Sequence, residues 1–458
     1  MSKNIVLFSD GTGNSSGKLF KTNVWRLYQA LDLSGPDPKK PNKPEQIAYY
    51  DDGVGTSSFK PLALLGGAFG WGLKRNVIDL YTFLCRNYQE GDSIYCFGFS
   101  RGAFTIRVLV GLINSQGLMS AETQADLKRL GLKAFREHRR ARYKSVFQLE
   151  TPARALRDGV IRAQNKLLGQ GVSSQPITIL RPQITFLGLW DSVAAYGLPI
   201  EELTRAWNAV FPLSVPDRDL SGIVKRACHA LALDDERNSF HPVLWNEDHQ
   251  PEKNAASTHI RDEIISQVWF TGMHSNVGGG YPDDALAHVS LAWIMEEANA
   301  VGLLFKQEEW DRIKATANPY GKLYDSRHGV GGTYRYLPRK LSTLSNDMDD
   351  ITNQVVIPRP KIHESVFQRI AKGVDGYAPF ILPERYAVVT ASGAIVDPSN
   401  PQQGSSSINE HPTQATDRVN RQEKIWNLVW WKRVAYFTSI LVVIALLAFP
   451  LFRPTTVA

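Results

Sequence analysis

Ile94-Tyr95-Cys96-Phe97-Gly98-Phe99-Ser100-Arg101-Gly102-Ala103 is the stretch that decides how this chain folds. Residues 94–97 are apolar throughout, as in a strand buried on both faces, and residues 103–110 can coil into a helix. Strand, sharp turn and helix in that order form a nucleophile elbow, which lifts a serine oxygen above the carboxyl end of a parallel sheet. Gly98 and Gly102, two positions to either side of Ser100, leave room for the backbone to double back through a strained turn. Such a pentapeptide is short enough to arise by chance, so its surroundings carry the reading.

Those surroundings repeat the pattern. Apolar runs over 5–8, 46–50, 93–97, 184–190 and 267–271 alternate with helical stretches, among them 76–88 with Val77, Leu80, Tyr81 and Leu84 on one face. This predicts an α/β domain of the α/β-hydrolase type over 1–390, with a mostly parallel sheet and helices on both faces. Residues 114–180 read as an inserted helical cap and 301–390 as the closing part of the domain. Residues 391–422 are poor in groups that pack and read as a flexible linker. Over 423–458 the sequence predicts a membrane anchor, because the 19 residues of 434–452 carry no charge, a span long enough for a bilayer. Trp426, Trp430 and Trp431 stand where an aromatic belt would lie, and Arg421, Lys424, Lys432 and Arg433 outnumber Arg453 across it. That bias predicts a cytoplasmic catalytic domain with one C-terminal transmembrane helix. Met1-Ser2-Lys3-Asn4 runs directly into the first strand, so no signal peptide is expected.

The cysteines Cys85, Cys96 and Cys228 are widely spaced in apolar surroundings and read as reduced core residues. Between Lys128 and Lys144, eight basic residues face only Glu137, an excess equal to the net charge of +7 of the whole chain. This is either a solvated helix face or a patch for an anionic surface such as lipid headgroups, with Lys128, Arg129, Lys133, Arg136, Arg139 and Arg140 as the contacts. No zinc-finger, helix-turn-helix or RNA-binding motif accompanies it, and no nucleic-acid partner is expected.

A serine hydroxyl needs a histidine to take its proton, and the histidine needs an acid to hold its tautomer. Chain order Ser, acid, His with each partner after a strand points to Asp191, the first charged residue after 184–190, and to His274, directly after 267–271. Asp234, Asp235 and His363 stand in reserve, while His229 in Ala227-Cys228-His229-Ala230 looks like a packed helical residue. The oxyanion needs two backbone donors: the N–H of Arg101, and one from Ser9-Asp10-Gly11-Thr12-Gly13-Asn14, with Gly11 and Thr12 leading. A phosphate-loop reading of that segment fails on spacing at Gly17-Lys18-Leu19. Asp10, Asp51, Asp52, Asp283 and Asp284 could form a carboxylate metal site but read better as turn and cap residues, so neither metal nor cofactor is expected. The glycine-rich 62–72 stretch either lines an acyl-chain tunnel or packs against the sheet.

Several segments resemble one family. They are Phe8-Ser9-Asp10-Gly11-Thr12-Gly13-Asn14, Asp52-Gly53-Val54-Gly55-Thr56, Gly98-Phe99-Ser100-Arg101-Gly102-Ala103, Gly188-Leu189-Trp190-Asp191-Ser192-Val193 and the run from Gly272 to Tyr281. Ile362-His363-Glu364-Ser365-Val366 and the segment from Tyr377 to Pro383 resemble its closing part. Together they look like the formerly uncharacterised α/β-hydrolase family that includes the first family of type VI secretion lipase effectors. The resemblance implies a phospholipase or lipid esterase with Ser100 as nucleophile, Asp191 as acid and His274 as base. The expected partners are a membrane lipid substrate and, through the C-terminal helix, the bilayer. Two other readings remain open on the sequence: an esterase or thioesterase on a soluble acyl substrate, and a non-catalytic membrane-tethered interaction module.

Overall fold

Alternate residues of the first strand are buried in two different apolar layers, which is what a strand without polar alternation requires. In a computed structural model, Ile5 and Leu7 of β1 (Asn4–Ser9) join one layer, and Val6 and Phe8 join the other. The structure describes residues 2–11, 19–35, 43–53, 67–121, 123–142, 159, 178–193, 218–248, 257–326, 336–348, 354–377, 379, 382–383, 385–398 and 412–452.

β1 lies between β2 (Gln46–Asp51) and β3 (Ser93–Phe99), parallel to both. Two short strands, β4 (Leu118–Met119) and β5 (Ile179–Leu180), pair with each other apart from the main sheet. The sheet continues beyond β3 through β6 (Ile184–Trp190), β7 (Ala227–Ala232) and β8 (Ile265–Phe270). A second small pair, β9 (Asn346–Met348) and β10 (Gln354–Val356), precedes β11 (Lys361–His363), β12 (Ala387–Val389) and β13 (Ile395–Val396). The nine-stranded order is β13-β12-β11-β8-β7-β6-β3-β1-β2, parallel throughout except for β13 against β12. All parallel strands therefore end on one edge, and the chain reverses its direction of travel between β1 and β3. That switch point is where open α/β sheets place ligands.

The layer containing Ile5 and Leu7 is completed by α2 (Gly67–Asn87), α3 (Arg101–Gln116) and α4 (Gln124–Arg142), through Leu80, Leu109 and Phe135 among others. On the opposite face lie α1 (Asn23–Ala30), the short α5 (His274–Gly278), α6 (Ala285–Ala300) and α7 (Gln307–Thr316). A third cluster joins Trp269, Ile362 and Val388 to Leu341 of α8 (Leu341–Leu344) and Phe367 of α9 (Glu364–Lys372).

Several expectations change. The segment expected to be a helix around His229 is the central strand β7, every residue of it buried. Its alanines favour a helix, but burial on both faces between β6 and β8 overrides that preference. Of the expected cap, α4 lies in the same apolar layer as α2, and 143–158 and 160–177 fall outside the described residues. Along α4, Lys128, Lys133 and Arg140 are exposed, Arg129, Arg136 and Arg139 are half-buried, and Arg129 pairs with Asp126 at 2.6 Å. The expected linker is interrupted by β13, because Ile395 and Val396 fold back on β12 through a turn with Gly393 at φ 87°. In the glycine-rich stretch, 62–66 lie outside the described residues and Gly67 begins α2.

The chain's apolar end is helical, within α10 (Pro412–Phe452). Among the described residues, no helix is long and apolar enough to cross a membrane, so the expected single-pass anchor over 434–452 is not supported. The apolar run is one end of a longer helix whose preceding part carries Arg421, Glu423, Lys424, Lys432 and Arg433.

Candidate active site

The elbow forms for a steric reason. Ser100 adopts φ 58° and ψ −124° between β3 and α3. A Cβ on Gly98 would lie 2.7 Å from the Ala103 backbone, and one on Gly102 would lie 2.0 Å from the Ser9 carbonyl oxygen. Neither position admits a side chain, so the two glycines permit the turn and its seating against the end of β1. Among the described residues only three non-glycines have positive φ: Ser100, Asp191 at 39° and Asp375 at 53°. Two of the three are candidate site residues, and strained backbone persists where the surroundings over-determine it.

Sheet order brings the candidates together. Ser100 follows β3, Asp191 follows the adjacent β6, and His274 stands after β8 as the first residue of α5. Ser100 Oγ lies 2.8 Å from His274 Nε2, and His274 Nδ1 lies 2.6 Å from Asp191 Oδ2. All three residues are buried, Ser100 being 6% and His274 5% exposed. The imidazole is packed by the Phe99 ring at 4.6 Å and the edge-on Phe240 ring at 5.1 Å. The triple-glycine run has a packing role here: a Cβ on Gly278 would lie 2.0 Å from Phe99 Cε2, so α5 approaches β3 only with glycine at that point.

Asp191 is held on every side. Oδ1 accepts from the Ala232 amide at 3.0 Å and from Arg339 Nη1 at 2.7 Å, while Arg339 Nη2 donates to Oδ2 at 2.8 Å. Burial by itself would raise the Asp191 pKa. The Arg339 charge, the His274 bond and the Arg339 bonds outweigh burial and hold the carboxyl well below the usual carboxylate range. For His274 burial wins: its pKa is lowered despite the bond to, and the charge of, Asp191. The imidazole is therefore neutral near pH 7, the state in which a base can accept a proton.

The other candidates have different positions. Asp234 accepts from the Gly272 amide at 2.6 Å and from the Tyr377 hydroxyl, and burial raises its pKa to about 6. Asp235 accepts from the His274 amide and from Arg237. His363 caps α9 through the Ser365 amide, and His229 Nε2 accepts from the Ser192 amide at 3.0 Å. Arg101 is the first residue of α3. The Gly11 amide donates to Asp10 Oδ1 at 2.6 Å, and Thr12 lies outside the described residues. Asp10 also accepts from the hydroxyls of Thr22 and Tyr50, each at 2.6 Å. Asp51 accepts from Ser9 and Asn76, and burial raises its pKa to about 6. Asp284 pairs with Arg26. Among the described residues no group of three or more His, Cys, Asp or Glu side chains is arranged to hold a metal ion.

Sequence reasoning missed Arg339 altogether. Leu337-Pro338-Arg339-Lys340 follows no apolar run in the sequence and repeats no motif, and only the folded chain brings the Arg339 guanidinium to Asp191.

Residues 3–297 match the family described as T6SS phospholipase effector Tle1-like, catalytic domain, and the chain belongs to that family. An uncharacterized protein of Saccharomyces cerevisiae, YEL023C, is 28% identical over 262 residues, covering 53% of this chain and 33% of that protein. Two solved structures are similar in part. An uncharacterized protein from Pseudomonas aeruginosa has 16% identity and a TM-score of 0.36, over 83% of this chain and 56% of that one. The Tle1 effector bound to the VgrG spike from the type VI secretion system has 17% identity and a TM-score of 0.31, over 62% and 52%. The chain thus spans about a third of the curated relative's length and about half that of the two solved structures.

Proposed function

We propose that this chain is a serine-dependent carboxylic-ester hydrolase of the α/β-hydrolase type, a phospholipase A or related lipid esterase, working through Ser100, His274 and Asp191. The observation that carries the proposal is the continuous row from Ser100 Oγ through both ring nitrogens of His274 to Asp191. Ser100 Oγ attacks the ester carbonyl while His274 Nε2 takes its proton, and Asp191 stabilises the imidazolium that forms. Collapse of the tetrahedral adduct breaks the bond to the alcohol, which leaves with the proton from His274. A water activated by the same imidazole then attacks the acyl-enzyme, releasing the fatty acid and restoring Ser100.

The oxyanion is proposed to rest on the Arg101 amide at the first turn of α3, where the helix dipole favours negative charge. The Gly11 amide serves it only by sharing the hydrogen bond it gives Asp10.

A lipid substrate is supported by family membership and by two surfaces. Lys128, Lys133 and Arg140 are exposed on α4, and Trp430, Trp431, Phe437, Leu441 and Leu446 are each more than half exposed on α10. We propose that these meet anionic headgroups and the acyl boundary of a bilayer respectively.

The test is fatty-acid release from phospholipid vesicles by the whole chain, with flotation to measure vesicle binding. Wild type is expected to release fatty acid and float, and Ser100→Ala to float without turnover. Turnover by Ser100→Ala contradicts the mechanism. Hydrolysis of a soluble acyl ester with none on vesicles favours a soluble substrate.

A further inference from the structure

The family match ends at residue 297, yet the residue most firmly bound to the candidate acid lies beyond it. We propose that Arg339 is a positioning residue of the acid–base pair: its guanidinium holds the Asp191 carboxylate toward His274 Nδ1 and draws part of that carboxylate's charge away from the imidazole. The inference rests on the proposed roles of Ser100, His274 and Asp191.

Four observations carry it. The guanidinium meets the carboxylate through two parallel bonds, 2.7 Å to Oδ1 and 2.8 Å to Oδ2, a fork that fixes the plane of the acid as well as its place. Both groups are fully buried, so water does not screen the pair. The clamp is itself anchored: Arg339 also donates to the carbonyls of Ala232 and Phe240, and its segment is fastened by the Leu337 amide to Glu236 O at 2.8 Å and by the His241 ring to Leu337 O at 2.8 Å. Asp191 sits at positive φ, and a rigid partner on the carboxylate keeps that strained residue aimed at His274.

The charges around the pair come from several elements. Asp234, Asp235, Arg237 and His241 follow β7, His229 lies within β7, and Arg107 comes from α3. Asp235 is itself paired with Arg237 at 2.7 Å, which leaves Arg339 as the cation bound directly to Asp191. A residue that only fills space would change the amount of folded protein. A charge on the acid would also move the pH at which His274 loses its proton.

The experiment is the pH dependence of Ser100 labelling by a fluorophosphonate, on the whole chain, with circular dichroism as the folding check. Arg339→Met is expected to label ~10–100-fold more slowly, with its acidic midpoint raised by ~1 pH unit, because removing the cation favours protonated His274. Arg339→Lys retains the charge but not the fork, so it should be several-fold slower with the midpoint unmoved. A folded Arg339→Met whose midpoint stays at the wild-type value overturns the inference. If Arg339→Met does not fold, Arg339→Lys decides: slower labelling at an unmoved midpoint supports the clamp, and the wild-type rate overturns it. Failure of the wild type to label at all would instead contradict the hydrolase reading.

Discussion

The backbone N–H of His274 donates to the Asp235 carboxylate at 3.1 Å, and Arg237 grips the same carboxylate with bonds of 3.0 and 2.7 Å. The imidazole is thus aimed at Ser100 by Asp191 on its ring and by Asp235 on its backbone. Removing Asp235 takes away the acceptor of the His274 amide at the start of α5 and one carboxylate partner of Arg237. Asp235→Ala is expected to lower kcat on an acyl ester by ~10-fold or more with little change in KM, since small displacements of a base are costly. Steady-state kinetics check this, and an unchanged kcat would show that Asp235 does not position the base.

Gly278 and Phe99 define how closely α5 approaches β3. Gly278→Ala places a methyl against the ring, and overpacking of this kind costs ~1–3 kcal/mol. Denaturant titration should show that loss, and Phe99→Leu in the same chain should recover part of it.

Stability should depend on pH through buried histidines. Burial lowers the pKa of both His229 and His363 to about 3, below an unfolded value near ~6.5. Below pH ~6.5 the unfolded chain binds protons that the folded chain excludes, so their contribution is complete above that pH and falls as pH drops toward about 3. Each histidine gives up to about 1.4 kcal/mol per pH unit across this window. Asp191 adds a second stabilising contribution, complete above the ordinary carboxylate range and lost as pH falls through its depressed folded value. His363→Asn, which can still cap α9, should make the decline in melting temperature below pH 6.5 shallower.

Far from the elbow, a buried charge network ties the starts of the later strands. Lys361 Nζ lies 2.8 Å from Glu247 and 3.1 Å from Glu263, and Ser266 links Glu263 to Arg226, which pairs with Glu297 at 2.9 Å. Lys361→Met leaves two carboxylates without their cation, and breaking such a pair costs ~3–5 kcal/mol. Chemical denaturation should report this loss, while the folded fraction should retain the wild-type labelling rate at Ser100.

How far the molecule was legible from sequence follows from which interactions are local. The elbow was legible because its glycines, serine and flanking strand lie within ten residues of one another. The positions of Asp191 and His274 beside Ser100 could be read because parallel strands deliver the residues after them to one edge. β7 was not legible, because Ala227-Cys228-His229-Ala230 carries a helix-favouring composition and only its neighbours on both sides make it a strand. Arg339 and Asp235 reach the candidate pair through long-range hydrogen bonds that leave no spacing or periodicity to read. The helical character of the C-terminal end was legible, whereas the bilayer span expected over 434–452 is not supported, because the apolar run continues a longer, charged helix.

The most direct test of the account is intact-mass and peptide analysis of the whole chain after exposure to a fluorophosphonate. A single adduct on Ser100, lost in both Ser100→Ala and folded His274→Ala, is the predicted result. No adduct on the folded wild type, or one on a residue other than Ser100, would contradict it.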